Sequence, residues 1–287
     1  MFRLLTTLVF TLPFLTSLDL TGAANAGAPF SEIVVFGDSL SDTGNGFLFT
    51  GGVAAGPPYF QGRFSNGPVW VEVLAQELGL PAPGPSLAGG SNYAFGGAET
   101  GDGLSFFGTP NVGMQIDAFL PDRGGFAGDE LIVLLAGGND LAWRPPYSPA
   151  QVVRNLVNDV SRLAAAGGRT FLVSNMHYFG NSDLKREVNL LLPRRLDRLQ
   201  EDLGITIFQF DLGTVFRDVL LFPEDYGLTN VTDPACPGCG IGIPDPNAAD
   251  TLVPNPDEYL FWDLIHWTRV VHAIVGKAAA DLVSQQP

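Results

Sequence analysis

The chain has 287 residues, 46% of them hydrophobic, enough to bury a full core in one α/β domain. Against 30 acidic residues stand 15 basic ones, giving a formal net charge of −15 with no Lys/Arg-rich run. Binding to a phosphate backbone needs clustered positive charge, so the composition argues against nucleic acid as a partner.

Residues 1–26 read as a secretory signal peptide. Arg3 precedes an apolar stretch over residues 4–15, and Ala24-Asn25-Ala26 supplies a small-x-small cleavage site before Gly27. That stretch is short of the roughly 20 residues that span a bilayer, and no later one is long enough, so no stable membrane anchor is expected. The mature chain, residues 27–287, is expected as a single domain that is secreted or periplasmic.

The first ordered element is Ile33-Val34-Val35-Phe36, a β-prone apolar run that stops at Gly37 and is followed by Asp38, Ser39, Ser41 and Asp42. Such a run reads as a strand buried on both faces, ending in a tight turn. In an open parallel sheet ligand chemistry sits at that end, so Ser39 stands where a nucleophile is useful. Ser and Asp at a strand exit also serve as helix caps. Residues 68–78 follow a helical pattern through Val69, Val73, Leu74 and Leu78, closed by Gly79. Residues 91–98 read as a short strand feeding Gly96-Gly97, which either lets backbone N–H groups approach a ligand or makes a turn with positive φ.

Residues 131–136 form a continuous apolar run, the mark of a central parallel strand, and end in Gly137-Gly138-Asn139-Asp140. An Asn amide at that edge can donate to a developing oxyanion, or it can cap a helix. Residues 149–166 are amphipathic, 170–173 are a strand closing on Ser174-Asn175-Met176-His177, 183–203 are a long charged helix, and 205–210 a strand ending at Asp211. Strands alternating with helices specify a parallel sheet covered on both sides.

Cys236 and Cys239 are the only cysteines. In an exported protein they read as a disulfide pinning a Pro/Gly-rich loop. Metal binding would need further ligands that three histidines hardly supply. Near the C-terminus, Asp263 and His266 are three apart, so the carboxylate can fold back onto the imidazole and leave Nε2 free to take a proton from a serine. His272 falls inside the helical pattern of residues 270–282. His177 borders the same sheet edge, with no acid at a matching offset.

Taken together, Gly37-Asp38-Ser39-Leu40, Gly96-Gly97, Gly137-x-Asn139-Asp140 and Asp263-x-x-His266 occur in the order found in GDSL, or SGNH, hydrolases, and the chain strongly resembles that family from about residue 33 to 282. Residues 62–70, 92–98 and 255–263 look like its secreted lipase/acylhydrolase branch. The resemblance implies a three-layer α/β/α sandwich with a central parallel sheet, of flavodoxin-like type. It implies catalytic roles for Ser39 as nucleophile, His266 as base and Asp263 as its orienting acid. It further implies an oxyanion hole from the Ser39 N–H, the Gly97 N–H and the Asn139 side chain, with Gly96 as the fallback. Trp267 stands where the family usually carries Pro, which would reshape the substrate site.

No cofactor is implied. The expected activity is hydrolysis of small-molecule or lipid carboxylic esters through an acyl-enzyme. Deacetylation of a carbohydrate by the same residues, and a catalytically silent surface-binding module, are the alternatives. Loop aromatics Tyr59, Phe60, Phe106, Phe107 and Trp267 are candidate lining for an acyl cleft. Oligomeric state is not legible.

Overall fold

The computed structural model describes residues 30–143, 147–180 and 182–285, so the signal peptide assigned to residues 1–26 lies outside the described residues. In chain order the principal elements are β1 (Ile33–Gly37), α1 (Asn45–Phe49), α2 (Trp70–Glu77), α3 (Val112–Arg123), β2 (Leu131–Leu135), α4 (Gly138–Ala142), α5 (Pro149–Ala165) and β3 (Thr170–Ser174). They continue with α6 (Ser182–Leu203), β4 (Thr206–Phe210), α7 (Leu212–Leu221), β5 (Asn230–Pro234), β6 (Tyr259–Phe261) and α8 (Arg269–Ser284).

The central sheet runs β1-β2-β3-β4, with every neighbouring pair parallel. The segment read as a short strand before Gly96 sits on the open side of β1. There Tyr93 N donates to Val35 O and Phe95 N to Gly37 O, with only an isolated bridge at Asn92. All five residues of β1 and all five of β2 are buried, which is why both read as uninterrupted apolar runs.

Successive side chains of a strand point to opposite faces, and each face here has its own core. Val35, Val133, Leu172 and Phe208 pack with Trp70 of α2, Phe216 of α7 and Val271 of α8. Phe36, Ile132, Phe171 and Ile207 pack with Ile116 of α3, Leu156 of α5 and Leu192 of α6. The result is the three-layer α/β/α arrangement. Its C-terminal strand ends carry the loops 38–44, 96–109, 137–143 and 175–180. A third cluster, containing Tyr59, Phe64, Trp262 and the bonded pair Cys236–Cys239, lies beside those loops and includes Tyr59 and Phe64, which contact Asp263 and His266. No helix among the described residues is long and apolar enough to cross a membrane.

Trp267 corrects the sequence reading. It is fully buried among Phe216, His177 and His272 and lines no cleft. His266 and Trp267 are adjacent in extended chain, so when the first faces the sheet edge the second enters the core. His272 is likewise a packed helix residue: Nδ1 accepts from Trp70 N at 3.1 Å, and burial drives its pKa down to about 3.

Candidate active site

Ser39 leaves β1 in a turn held by Asp38, whose carbonyl accepts from Ser41 N and Asp42 N. Ser39 is 7% exposed, and its Oγ lies 2.8 Å from His266 Nε2. His266 Nδ1 is 2.6 Å from Asp263 Oδ2. Asp263 Oδ1 accepts from Ile265 N and His266 N at 2.8 and 2.7 Å. This turn explains the three-residue spacing: one carboxylate oxygen closes the backbone turn while the other meets the ring on the residue that the turn presents. Burial opposes the charge on Asp263, yet His266 and the surrounding donors hold its pKa below the usual carboxylate range.

Tyr59 is another residue that sequence reading misplaced. It is buried rather than lining a cleft, and its hydroxyl donates to Asp263 Oδ2 and accepts from Gly242 N at 2.9 Å. Burial and the neighbouring Asp263 carboxylate push its own pKa strongly upward, so the hydroxyl stays a donor. Nothing in the sequence links positions 59 and 263. Phe60 is absent from the lining of both cavities that Ser39 borders, and holds Arg63 against its ring.

The donors facing Ser39 are sorted by their own hydrogen bonds. Gly96 N donates to Asp42 Oδ2 at 2.8 Å and is thereby occupied. Gly97, at φ +78°, follows with no protein acceptor for its N–H among the described residues. A Cβ there would sit 2.8 Å from the Phe107 ring, so both backbone conformation and space call for glycine. Asn139 Nδ2 donates to Ala98 O at 2.9 Å while its Oδ1 accepts from Trp143 Nε1 at 3.0 Å. An amide carries two N–H donors, so one remains for a ligand. Trp143 fixes which way the amide points, and its four-residue offset from Asn139 was the available signal in the sequence.

Two cavities meet at this point. The first, about 140 Å³, is lined by Ser39, Gly97, Asn139 and His266 together with Phe107 and Ile243. Around it Phe106 and Phe107 pack against Trp143, and Phe106, Phe107 and Ile243 are exposed, at 56%, 47% and 60%. The second, about 170 Å³, is lined by Asp38, Ser39, Asn139, Trp143, His177 and Lys185 among others. Among the described residues no group of three or more His, Cys, Asp or Glu side chains is arranged to hold a metal ion.

Beneath the site two buried carboxylates tie the loops together. Asp42 accepts from Gly44 N, Asn45 N, Gly46 N and Gly96 N. Burial pushes its pKa up to about 6 against those four donors. Asp140 accepts from Thr100 N and Thr100 Oγ1, joining α4 to the loop that follows Gly97.

The family model for GDSL-like lipase/acylhydrolase matches residues 33–279. A phosphatidylcholine-sterol acyltransferase from Aeromonas hydrophila is 29% identical, over 92% of this chain and 93% of that protein. Acetylajmalan esterase 2 from Rauvolfia serpentina is 28% identical, over 90% and 91% respectively. A crystal structure of a lipolytic G-D-S-L family member from Veillonella parvula covers 89% of this chain and 99% of its own at 14% identity, with a TM-score of 0.45.

Proposed function

The chain belongs to the GDSL-like lipase/acylhydrolase family of carboxylic ester hydrolases, and on that premise we propose that it cleaves acyl esters through Ser39, His266 and Asp263 by way of an acyl-enzyme. The observation that carries this reading is the unbroken relay from Ser39 Oγ to His266 Nε2 and from His266 Nδ1 to Asp263 Oδ2, at 2.8 and 2.6 Å. Ser39 Oγ attacks the ester carbonyl carbon as its proton passes to His266 Nε2. The carbonyl oxygen, now an oxyanion, is received by the Ser39 N–H, the Gly97 N–H and the Asn139 amide. Collapse breaks the bond to the alcohol oxygen, which takes the proton from His266, and water repeats the sequence on the acyl-serine.

We also propose that residues 1–26 are a cleaved export signal, which the Cys236–Cys239 pair suits because disulfides persist in oxidising compartments. N-terminal sequencing of exported protein should begin at Gly27; an intact Met1 sinks that part.

The test of the main reading is hydrolysis of p-nitrophenyl esters of graded acyl length by residues 27–287, beside Ser39→Ala. Turnover by wild type alone supports the assignment. Turnover of acetylated glycan in place of acyl esters would move the substrate class to polysaccharide. Equal rates for wild type and Ser39→Ala, or failure of an organophosphonate to label Ser39, would overturn it.

A further inference from the structure

The second cavity contains a cation that the reaction as described leaves unused. Lys185, in the first turn of α6, is only 7% exposed, and its Nζ donates to Phe179 O in the loop after β3. An ammonium has three donors, so this bond leaves two. No carboxylate lies within ion-pair distance of it among the described residues. The Asp38 carboxylate acts on it only from beyond ion-pair distance, and a buried charge so weakly compensated is costly to keep. The cavity it lines also receives Asp38, whose Oδ1 accepts from Leu40 N at 3.1 Å and whose Oδ2 takes no hydrogen bond among the described residues. His177 completes the polar lining. Its Nδ1 accepts from Phe179 N, and burial holds its pKa well below the usual value, leaving the ring uncharged.

Which half of an ester enters this cavity follows from the position of His266, and so rests on the serine-hydrolase reading above. The departing alcohol oxygen must face His266 Nε2 to receive its proton. His266 lines the first cavity and is absent from the lining of the second, whereas Ser39 and Asn139 line both. The alcohol therefore departs on the side of Phe107 and Ile243, and the acyl group extends toward Lys185.

We infer that the second cavity is an acyl subsite for short acyl groups bearing a hydroxyl, with Lys185 Nζ donating to the hydroxyl oxygen and Asp38 Oδ2 accepting its proton. A hydroxyl is both donor and acceptor, matching one wall group of each kind. A carboxylate would satisfy Lys185 but oppose Asp38, and a bare alkyl chain would leave both polar groups dry and unpartnered. A cavity of about 170 Å³ suits a short acyl group.

The experiment keeps the alcohol constant and varies the acyl group: kcat/KM for p-nitrophenyl 3-hydroxybutyrate, p-nitrophenyl butyrate and the p-nitrophenyl monoester of succinic acid. Wild type should favour the hydroxybutyrate over the butyrate by ~10-fold or more, since a hydrogen bond to a charged group is at stake. Lys185→Met should bring that ratio close to one. A wild-type ratio near one, a preference for the succinate, or an unchanged ratio in Lys185→Met each overturns the inference. The wild-type ratio stands as the test by itself if Lys185→Met fails to fold. Turnover of butyrate without preference defeats the subsite alone, while no turnover of any ester defeats the serine-hydrolase reading and the subsite with it.

Discussion

The Tyr59 hydroxyl donates to Oδ2 of Asp263, the same carboxylate oxygen that meets His266 Nδ1. One oxygen thus serves two donors that approach from opposite ends of the chain, and Gly242 N donates to the Tyr59 oxygen in turn. The phenol therefore holds the carboxylate in register with the imidazole. Tyr59→Phe removes that hold without opening a cavity. It should lower kcat by roughly 10-fold and destabilise the fold by ~1.5–3 kcal/mol, the worth of a hydrogen bond to a charged acceptor. Steady-state kinetics on p-nitrophenyl butyrate beside a urea titration checks both. A variant that loses stability but keeps kcat would make Tyr59 a packing residue only.

Asn139 and Trp143 form a second pair of this kind. Trp143 Nε1 donates to Asn139 Oδ1 at 3.0 Å, fixing the amide of a residue that lines the same cavity as Ser39. Removing an oxyanion donor costs ~10²- to 10³-fold in kcat, and Asn139→Ala should fall in that range. Trp143→Phe keeps the ring but lets the amide rotate, so its loss should be smaller, ~3- to 10-fold. In the double variant the Trp143 change should add nothing to kcat, because the amide it orients is gone. Additive losses would separate the two residues.

The sheet and the Ser39, Asn139 and His266 positions were legible because each is marked locally. A buried strand of a parallel sheet is a bare apolar run, and the glycine that ends it is followed at once by the polar group at the sheet edge. Asp263 and His266 were legible as a pair since their contact closes within one turn. What stayed hidden depends on contacts distant in sequence or on opposing signals. Tyr59 and Asp263 meet across |i−j| = 204. Helix α3 was not read, for its apolar residues Val112, Ile116 and Phe119 are followed at once by Pro121 and flanked by glycine-rich loop. Trp267 looked like a lining residue by its adjacency to His266, yet alternation sends it into the core.

Asp42 should influence the rate without touching substrate. Its Oδ2 holds Gly96 N at 2.8 Å, one residue before the free N–H of Gly97, while Oδ1 holds Gly44 N and Asn45 N at 2.7 and 2.6 Å. Asp42→Asn keeps the shape but replaces one acceptor oxygen with a donor. The expected result is a kcat lower by ~10-fold with KM within ~2-fold, because a loosened Gly97 N–H fails chiefly in the transition state. If KM rises and kcat holds, Asp42 acts on ground-state binding and this account of Gly97 is wrong.

Asp159 provides a prediction about stability and pH. It lies on α5 with no exposure, and neither carboxylate oxygen has a hydrogen-bond partner. Burial raises its pKa from 3.8 to about 7, with the Gly101 N–H and Arg162 opposing from longer range and Asp102 and Asp140 reinforcing the rise. A raised carboxylate pKa means that the folded state binds the proton more tightly than the unfolded chain. Stability from this group is therefore fully present below pH ~4, is lost as pH climbs toward about 7, and stays lost above. Asp159→Asn is neutral at every pH and escapes that loss. Urea titrations at pH 4, 6 and 8 should show the variant gaining on wild type between the first and the last. The gain should be up to a few kcal/mol, at ~1.4 kcal/mol per tenfold change in proton affinity. A difference between the two proteins that does not vary with pH would mean that Asp159 is ionised in the folded state and held by Arg162 after all.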